Sequence, residues 1–138
     1  MLIYGHDSEL ALWAGLKLGY GAPIRASTAP VAIGVARKGT IIAAAIFYDY
    51  RGTSIEVTFV TTTPRWASRE AIRAILHYPF VQIGCKRLTA ITEESNAAAR
   101  GFLERLGFRE EGIHPDGFES GAGISYGLLR KDAERWLV

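Results

Sequence analysis

The sequence is poor in cysteine and in charge of one sign, and it has no long hydrophobic run. One thiol, Cys85, cannot form an intramolecular disulfide, so a reducing compartment suits the chain. Cys85 itself reads as a buried apolar side chain rather than a nucleophile. Lys and Arg number 16 against 14 Asp and Glu, a formal net charge of +2 that provides no global field for nucleic acid. A nucleic-acid role would have to rest on local clustering of Arg65, Arg69, Arg73, Lys86 and Arg87, against a near-neutral overall charge. The apolar stretch from Ile41 to Tyr48 is far too short to span a bilayer. The segment Met1 to Asp7 carries neither a basic leader nor a long apolar segment, so no signal peptide and a cytoplasmic, membrane-free protein are expected. No internal repeat and no linker interrupt the pattern.

What is present is a globular balance, with 49% hydrophobic and 22% charged residues in 138. That length suits one domain, expected to cover residues 1–138. Asp7 or Ser8 can cap a first helix whose apolar face is formed by Leu10, Leu12, Trp13, Leu16 and Leu18. Gly19, Gly21 and Pro23 end it, and a polar connector covers 25–30. Strands follow over 31–36, 41–50 and 54–61, joined by short turns at Lys38-Gly39 and Arg51-Gly52-Thr53, as an antiparallel meander. Ala71, Ile72, Ile75 and Leu76 then take helical spacing until Pro79 interrupts, while Arg65, Arg69 and Arg73 repeat on another face. A strand over 88–92 leads to a helix over 96–106 with Phe102, Leu103 and Leu106 inward. Gly107 suits a left-handed helix end, Phe108 begins a short strand, and a Gly-rich stretch (117–123) precedes a last strand over 124–129. The order predicts a mixed α/β (α+β) fold: a mostly antiparallel sheet flanked by helices.

The segment Asn96-Ala97-Ala98-Ala99-Arg100-Gly101-Phe102-Leu103-Glu104-Arg105-Leu106-Gly107-Phe108, with Glu111-Gly112 after it, resembles the fourth helix and following strand of the GNAT acetyltransferases. In that family an Asn opens this helix, a small residue follows three positions later, and Gly-Phe closes it. The Glu-Gly pair is similar to the branch that includes the ribosomal-protein N-terminal acetyltransferases. The resemblance implies a GNAT-type fold and transfer of an acetyl group from acetyl-CoA to a primary amine. It implies no metal. It does not identify the acceptor, which could be a small molecule or a protein amine, and it leaves the oligomer open, with a homodimer as the form common in the family.

Carried onto these residues, the resemblance assigns Asn96 to the pantetheine arm of the cofactor, although an N-cap role alone would also explain it. Arg100, further along the helix, is counted with the same group. The strand over 54–61 is similar to the family strand that splays from its neighbour, so Val60 and Thr61 would offer main-chain contacts to pantetheine. Some members carry a base glutamate at the place of Glu56, whose alternation puts it on one face with Thr58 and Val60. An exposed strand glutamate is the alternative. The family's phosphate loop, Arg/Gln-x-x-Gly-x-Gly/Ala, falls on Arg65-Trp66-Ala67-Ser68-Arg69-Glu70, where Ser68 and Glu70 stand in for the glycines. Arg65 and Arg69 would compensate by charge-assisted hydrogen bonds, with Trp66 and Ser68 beside them, while Arg73 reads as an ordinary surface arginine. Either Ser68 or Thr63-Pro64 could start the helix that follows.

The family's usual general acid is a tyrosine at the position of Leu103, and some ribosomal-protein acetyltransferases use a serine at the position of Ala99. Neither residue here can donate a proton. Tyr126 is the substitute chosen, with Tyr48 and Tyr50 as alternatives, and loss of the thiolate without an enzyme acid is a further one. A protein that binds coenzyme A or a partner without turnover is the competing function.

Overall fold

The computed structural model describes residues 1–24 and 29–138, so most of the connector expected over 25–30 lies outside the described residues. The elements run β1 (Leu2–Ile3), α1 (Asp7–Lys17), β2 (Val31–Arg37), β3 (Thr40–Tyr48), β4 (Ser54–Thr61), α2 (Arg69–His77), β5 (Arg87–Glu93), α3 (Ala97–Leu106), β6 (Arg109–Phe118), β7 (Gly121–Leu129) and α4 (Arg130–Leu137). A short 3-10 turn (Pro64–Trp66) precedes α2, and a π-helical turn (Tyr78–Gln82) containing Pro79 follows it. The strands form one sheet in the order β1-β2-β3-β4-β5-β7-β6, antiparallel throughout except for the β4–β5 pair. The mixed, mostly antiparallel sheet expected from the sequence is therefore present.

Two apolar layers hold the sheet. On one face Phe47, Ile55, Val57 and Leu88 pack against Ile72, Ile75 and Leu76 of α2, Leu103 and Leu106 of α3, and Ala133 of α4. On the other, Ala32, Ala44, Ile46 and Val60 pack against Leu10 and Ala14 of α1. Residues 43, 45 and 47 against 44 and 46 divide between the faces as strand alternation requires. Cys85 is fully buried. Among the described residues, no helix is long and apolar enough to cross a membrane.

Several local expectations need correction. Neither Asp7 nor Ser8 caps α1; His6 stands at that position without a side-chain cap bond, and Asp7 Oδ1 instead accepts from the Ala32 amide at 2.8 Å. This bond ties the start of α1 to β2. The buried stripe of α1 is Leu10, Ala11, Ala14 and Gly15, whereas Leu12, Leu16 and Leu18 are exposed. Small residues prevail there because the chain at Ala22 passes so close that a Cβ on Gly15 would lie 1.8 Å from its carbonyl oxygen. β3 stops at Tyr48, two residues early, since Asp49 turns the chain with φ 56. The short strand expected from Phe108 is the ten-residue edge strand β6, with the Gly-rich stretch mostly inside the β6–β7 hairpin. β1 and α4 were not expected. The charges of Arg130-Lys131-Asp132 and Glu134-Arg135 mask the inward spacing of Ala133, Trp136 and Leu137 in α4. Gly107 does end α3 in the left-handed region, at φ 111.

Candidate active site

The site begins where β4 and β5 part. Their parallel pairing covers Ser54↔Arg87, Ile55↔Leu88 and Glu56↔Thr89 and then stops. β4 continues to Thr61 paired with β3, from Tyr48↔Glu56 to Ala43↔Thr61, while β5 continues to Glu93 paired with β7. Each strand follows its antiparallel partner, and the edges that face each other beyond Glu56 have no ladder. Phe59, Trp66 and Phe102 pack on the helical side of this fork, with ring centroids 5.3 to 6.2 Å apart. Unpaired strand edge needs a hydrogen-bonding partner, and an extended amide chain is one that fits.

A cavity of about 950 Å³ opens in the fork. Its walls are Phe59 to Pro64 at the end of β4, Trp66 and Ala67 in the loop, Asn96 to Ala99 and Phe102 of α3, and Trp136 of α4. Lys17 of α1 and Leu18 just after it line it as well, from the opposite face of the sheet. The cleft therefore passes through the plane of the sheet, with one mouth among α2, α3 and α4 and the other beside α1. The volume lies at the upper end of the range usual for small-molecule sites, as an elongated cofactor needs. The end of α3 that faces it is built of alanines, so backbone is open to a ligand there.

The two possible starts of α2 are both used, one after the other. Thr63 Oγ1 accepts from the Arg65 amide at 3.3 Å and starts the 3-10 turn with Pro64 in its first position. Ser68 Oγ accepts from the Ala71 amide at 3.1 Å and starts α2. Asn96 is an N-cap too: its Oδ1 accepts from the Ala99 amide at 3.0 Å, which leaves the side-chain NH₂ as a donor at the cleft.

Of the residues expected at the site, Val60, Thr61, Trp66 and Asn96 line the cleft. Arg65, Ser68, Arg69, Arg100, Glu56 and Tyr126 do not. Arg69 is turned toward α4, where it donates to the Arg135 carbonyl and lies 5.3 Å from the Trp136 ring. Arg65 is held by its backbone, whose carbonyl accepts from Arg37 Nη2 at 3.3 Å. Arg100 donates through Nε to the Tyr126 hydroxyl at 2.9 Å and through Nη1 to the Glu94 carbonyl at 3.1 Å. Tyr126 is completely buried in the core between β5 and β6, so its hydroxyl serves this internal bond. The alternative tyrosines are also partnered: Tyr48 with Thr58 at 2.7 Å, and Tyr50 with the Gly52 carbonyl at 3.1 Å.

Glu56 sits at the last paired position before the fork, half-buried, on the α1 side with Thr58 and Val60. Burial raises its pKa above the ordinary carboxylate value, nearby Asp49 raises it further, and Arg51 acts the other way. Tyr48 is its cross-strand neighbour, so Asp49 is only one residue beyond. Burial likewise pushes the Tyr48 hydroxyl up, against the hydrogen bond from Thr58, so it stays protonated at neutral pH. Among the described residues, no cluster of His, Cys, Asp or Glu has the arrangement of a metal site.

Lys17, Arg105 and Trp136 line the cleft without having been singled out in the sequence. Arg105 had a readable signal, since residues 96, 99, 102 and 105 advance by three along one side of α3. Trp136 belongs to a helix the sequence did not reveal, and Lys17 reaches the cleft only because α1 packs across the sheet.

Comparison with known proteins agrees with this geometry. The profile of the acetyltransferase (GNAT) domain matches residues 13–109. Among solved structures, the spermidine/spermine N-acetyltransferase of Vibrio cholerae is similar over 98% of this chain and 97% of its own, at 16% identity and a TM-score of 0.75. A GCN5-related N-acetyltransferase from Brucella melitensis matches 78% of this chain and 54% of its own, at 21% identity and a TM-score of 0.64. A ribosomal-protein-serine acetyltransferase-like protein of Vibrio cholerae matches 72% of this chain and 64% of its own, at 19% identity and a TM-score of 0.61. The chain thus spans nearly the whole of the first but less than two thirds of the other two. No curated protein matches the sequence significantly. The domain profile covers most of the chain, and the overall fold is shared with the solved acetyltransferases: the chain belongs to the GNAT acetyltransferase family.

Proposed function

We propose that this chain, acting as one catalytic domain over residues 1–138, transfers an acetyl group from acetyl-CoA to a primary amine in the cytoplasm. The observation that carries the reading is the fork: unpaired β4 edge from Val57 to Thr61 faces a through-sheet cleft with the Asn96-capped helix at its side. Pantetheine is an extended chain with two amides, and it fits an unpaired strand edge plus one amide donor. When bound, acetyl-CoA supplies the thioester carbonyl that the amine attacks and the sulfur that leaves. A small-molecule amine entering from the α1 mouth is the acceptor class, in keeping with the spermidine/spermine N-acetyltransferase whose fold it shares.

The residues on the α1 side of β4 suit removal of the amine's proton. Glu56 lies about 10 Å of strand from Phe59, too far for direct contact with a group at the cleft's end. The bonded hydroxyls of Thr58 and Tyr48 lie along the same face, so a proton reaches Glu56 through them and water. A raised carboxylate pKa makes Glu56 a better base near neutral pH. The departing thiolate takes its proton from water, because Leu103 is core and Tyr126 is engaged by Arg100.

Those same two facts favour a second reading, a cofactor-binding protein without turnover. Calorimetry with coenzyme A and acetyl-CoA, followed by thiol release over a panel of amines, separates the two. Binding with amine-dependent thiol release supports the enzyme. Binding without release from any amine supports the second reading, and failure to bind either nucleotide removes both.

A further inference from the structure

We infer that Arg105 supplies the cationic anchor for the cofactor's phosphates in this chain, in place of Arg65 and Arg69 before α2. The inference rests on acetyl-CoA being the cosubstrate, as proposed above. Phosphate in this cleft draws on positive charge as well as on amides, and the arginines of the loop do not bring their charge to the cavity. Ser68 and Glu70 replace the close-approach glycines, Glu70 brings negative charge, and the Ser68 hydroxyl is occupied by the Ala71 amide. Arg69 is committed to Arg135 and Trp136, and Arg65 does not line the cavity.

Only Lys17 and Arg105 bring cationic side chains to the described lining. Lys17 reaches it from α1, at the acceptor mouth, with its ammonium 6.0 Å from the Trp13 ring. Arg105 lies at the other mouth, and its guanidinium is folded back along α3. Its Nη1 is 3.3 Å from where a Cβ on Gly101 would stand, and apart from the adjacent residues and the helix backbone no other atom comes within 4 Å of that point. Gly101 thus leaves the surface on which the guanidinium rests. One turn further back are Ala97 and Ala98, small residues that also line the cleft. Among the described residues Arg105 forms no ion pair, so its five donors are available to an anion. Its backbone is held firmly: Arg135 Nη2 donates to its carbonyl at 2.5 Å, and Trp136 Nε1 to that of Leu106 at 2.8 Å. A guanidinium fork carried on a held helix end suits a phosphate.

The test is calorimetry with coenzyme A and with phosphate-free pantetheine on the wild type, Arg105→Ala, Arg105→Lys and Gly101→Leu. Losing a charge-assisted contact should weaken coenzyme A about tenfold to a hundredfold in Arg105→Ala and leave pantetheine unchanged. Arg105→Lys should recover part of the loss. Gly101→Leu keeps the charge but fills its resting place, and should also weaken coenzyme A selectively. Thermal melts of the free variants identify any that fail to fold. Unchanged coenzyme A affinity in a folded Arg105→Ala protein, or equal weakening of both ligands, would overturn the inference. A wild type that does not bind coenzyme A would instead remove the function on which it rests.

Discussion

Asn96 has two separable jobs, and substitutions can divide them. Its Oδ1 is used within the protein, accepting from the Ala99 amide at 3.0 Å, while its NH₂ group is left as a donor on a residue that lines the cleft. Asn96→Ala removes both and should cost about 1 kcal/mol of stability as a lost cap. For a chain of this size that is a fall in Tm of about 3 °C. Asn96→Ser keeps a capping oxygen of nearly equal strength, so its Tm should stay within about 1 °C of the wild type. If the NH₂ group donates to a pantetheine carbonyl, both variants lose one neutral hydrogen bond, about 0.5–1.5 kcal/mol, or about twofold to tenfold in coenzyme A affinity. Paired melts and calorimetry therefore give a pattern: stability falls in one variant, affinity in both. Wild-type affinity in a folded Asn96→Ser protein would show that the side chain is a cap and nothing more.

Glu56→Gln should lower amine-dependent turnover by roughly two orders of magnitude near neutral pH, with coenzyme A affinity unchanged and the deficit shrinking at high pH; full turnover at all pH values would exclude Glu56 as base. Because its folded pKa is raised, the native state holds this proton where the unfolded chain has released it. Stability should accordingly fall as pH rises from the ordinary carboxylate value through the folded one, and denaturant melts should show this slope flattened in Glu56→Gln. Tyr126→Phe should cost about 1–2 kcal/mol through the orphaned Arg100 bond and leave turnover intact, so a large fall in rate in a stable protein would return Tyr126 to the chemistry. Gly15→Ala should destabilise by about 1–3 kcal/mol, despite the better helix propensity of Ala, because the Ala22 carbonyl lies 1.8 Å from the new Cβ; a rise in Tm would show that the backbone there yields freely.

Local chemistry carried most of the fold into the sequence. β-branched runs and short glycine turns marked β2, β3 and β4, helical spacing marked α2 and α3, and Gly107 marked the end of α3. Asn96 and Ser68 could be read as caps because a cap needs only its own residue and an amide three positions on. Trp66, Val60 and Thr61 could be placed at the cleft because the resemblance fixed which strand and loop flank it. Tertiary structure decided matters that depend on distant parts of the chain. Where β4 leaves β5 is set by their loyalty to β3 and β7, which no local window contains. Which face of α1 is buried turns on the passage of Ala22 beneath Gly15, so the leucines lost to smaller residues. Most consequentially, the sequence singled out Arg65, Arg69 and Arg100 at the cofactor and passed over Arg105. Packing binds Arg69 to α4 and Arg100 to a buried tyrosine, and leaves Arg105 along the cleft, because a long flexible side chain goes where its donors find acceptors, and those acceptors lie elsewhere in the chain.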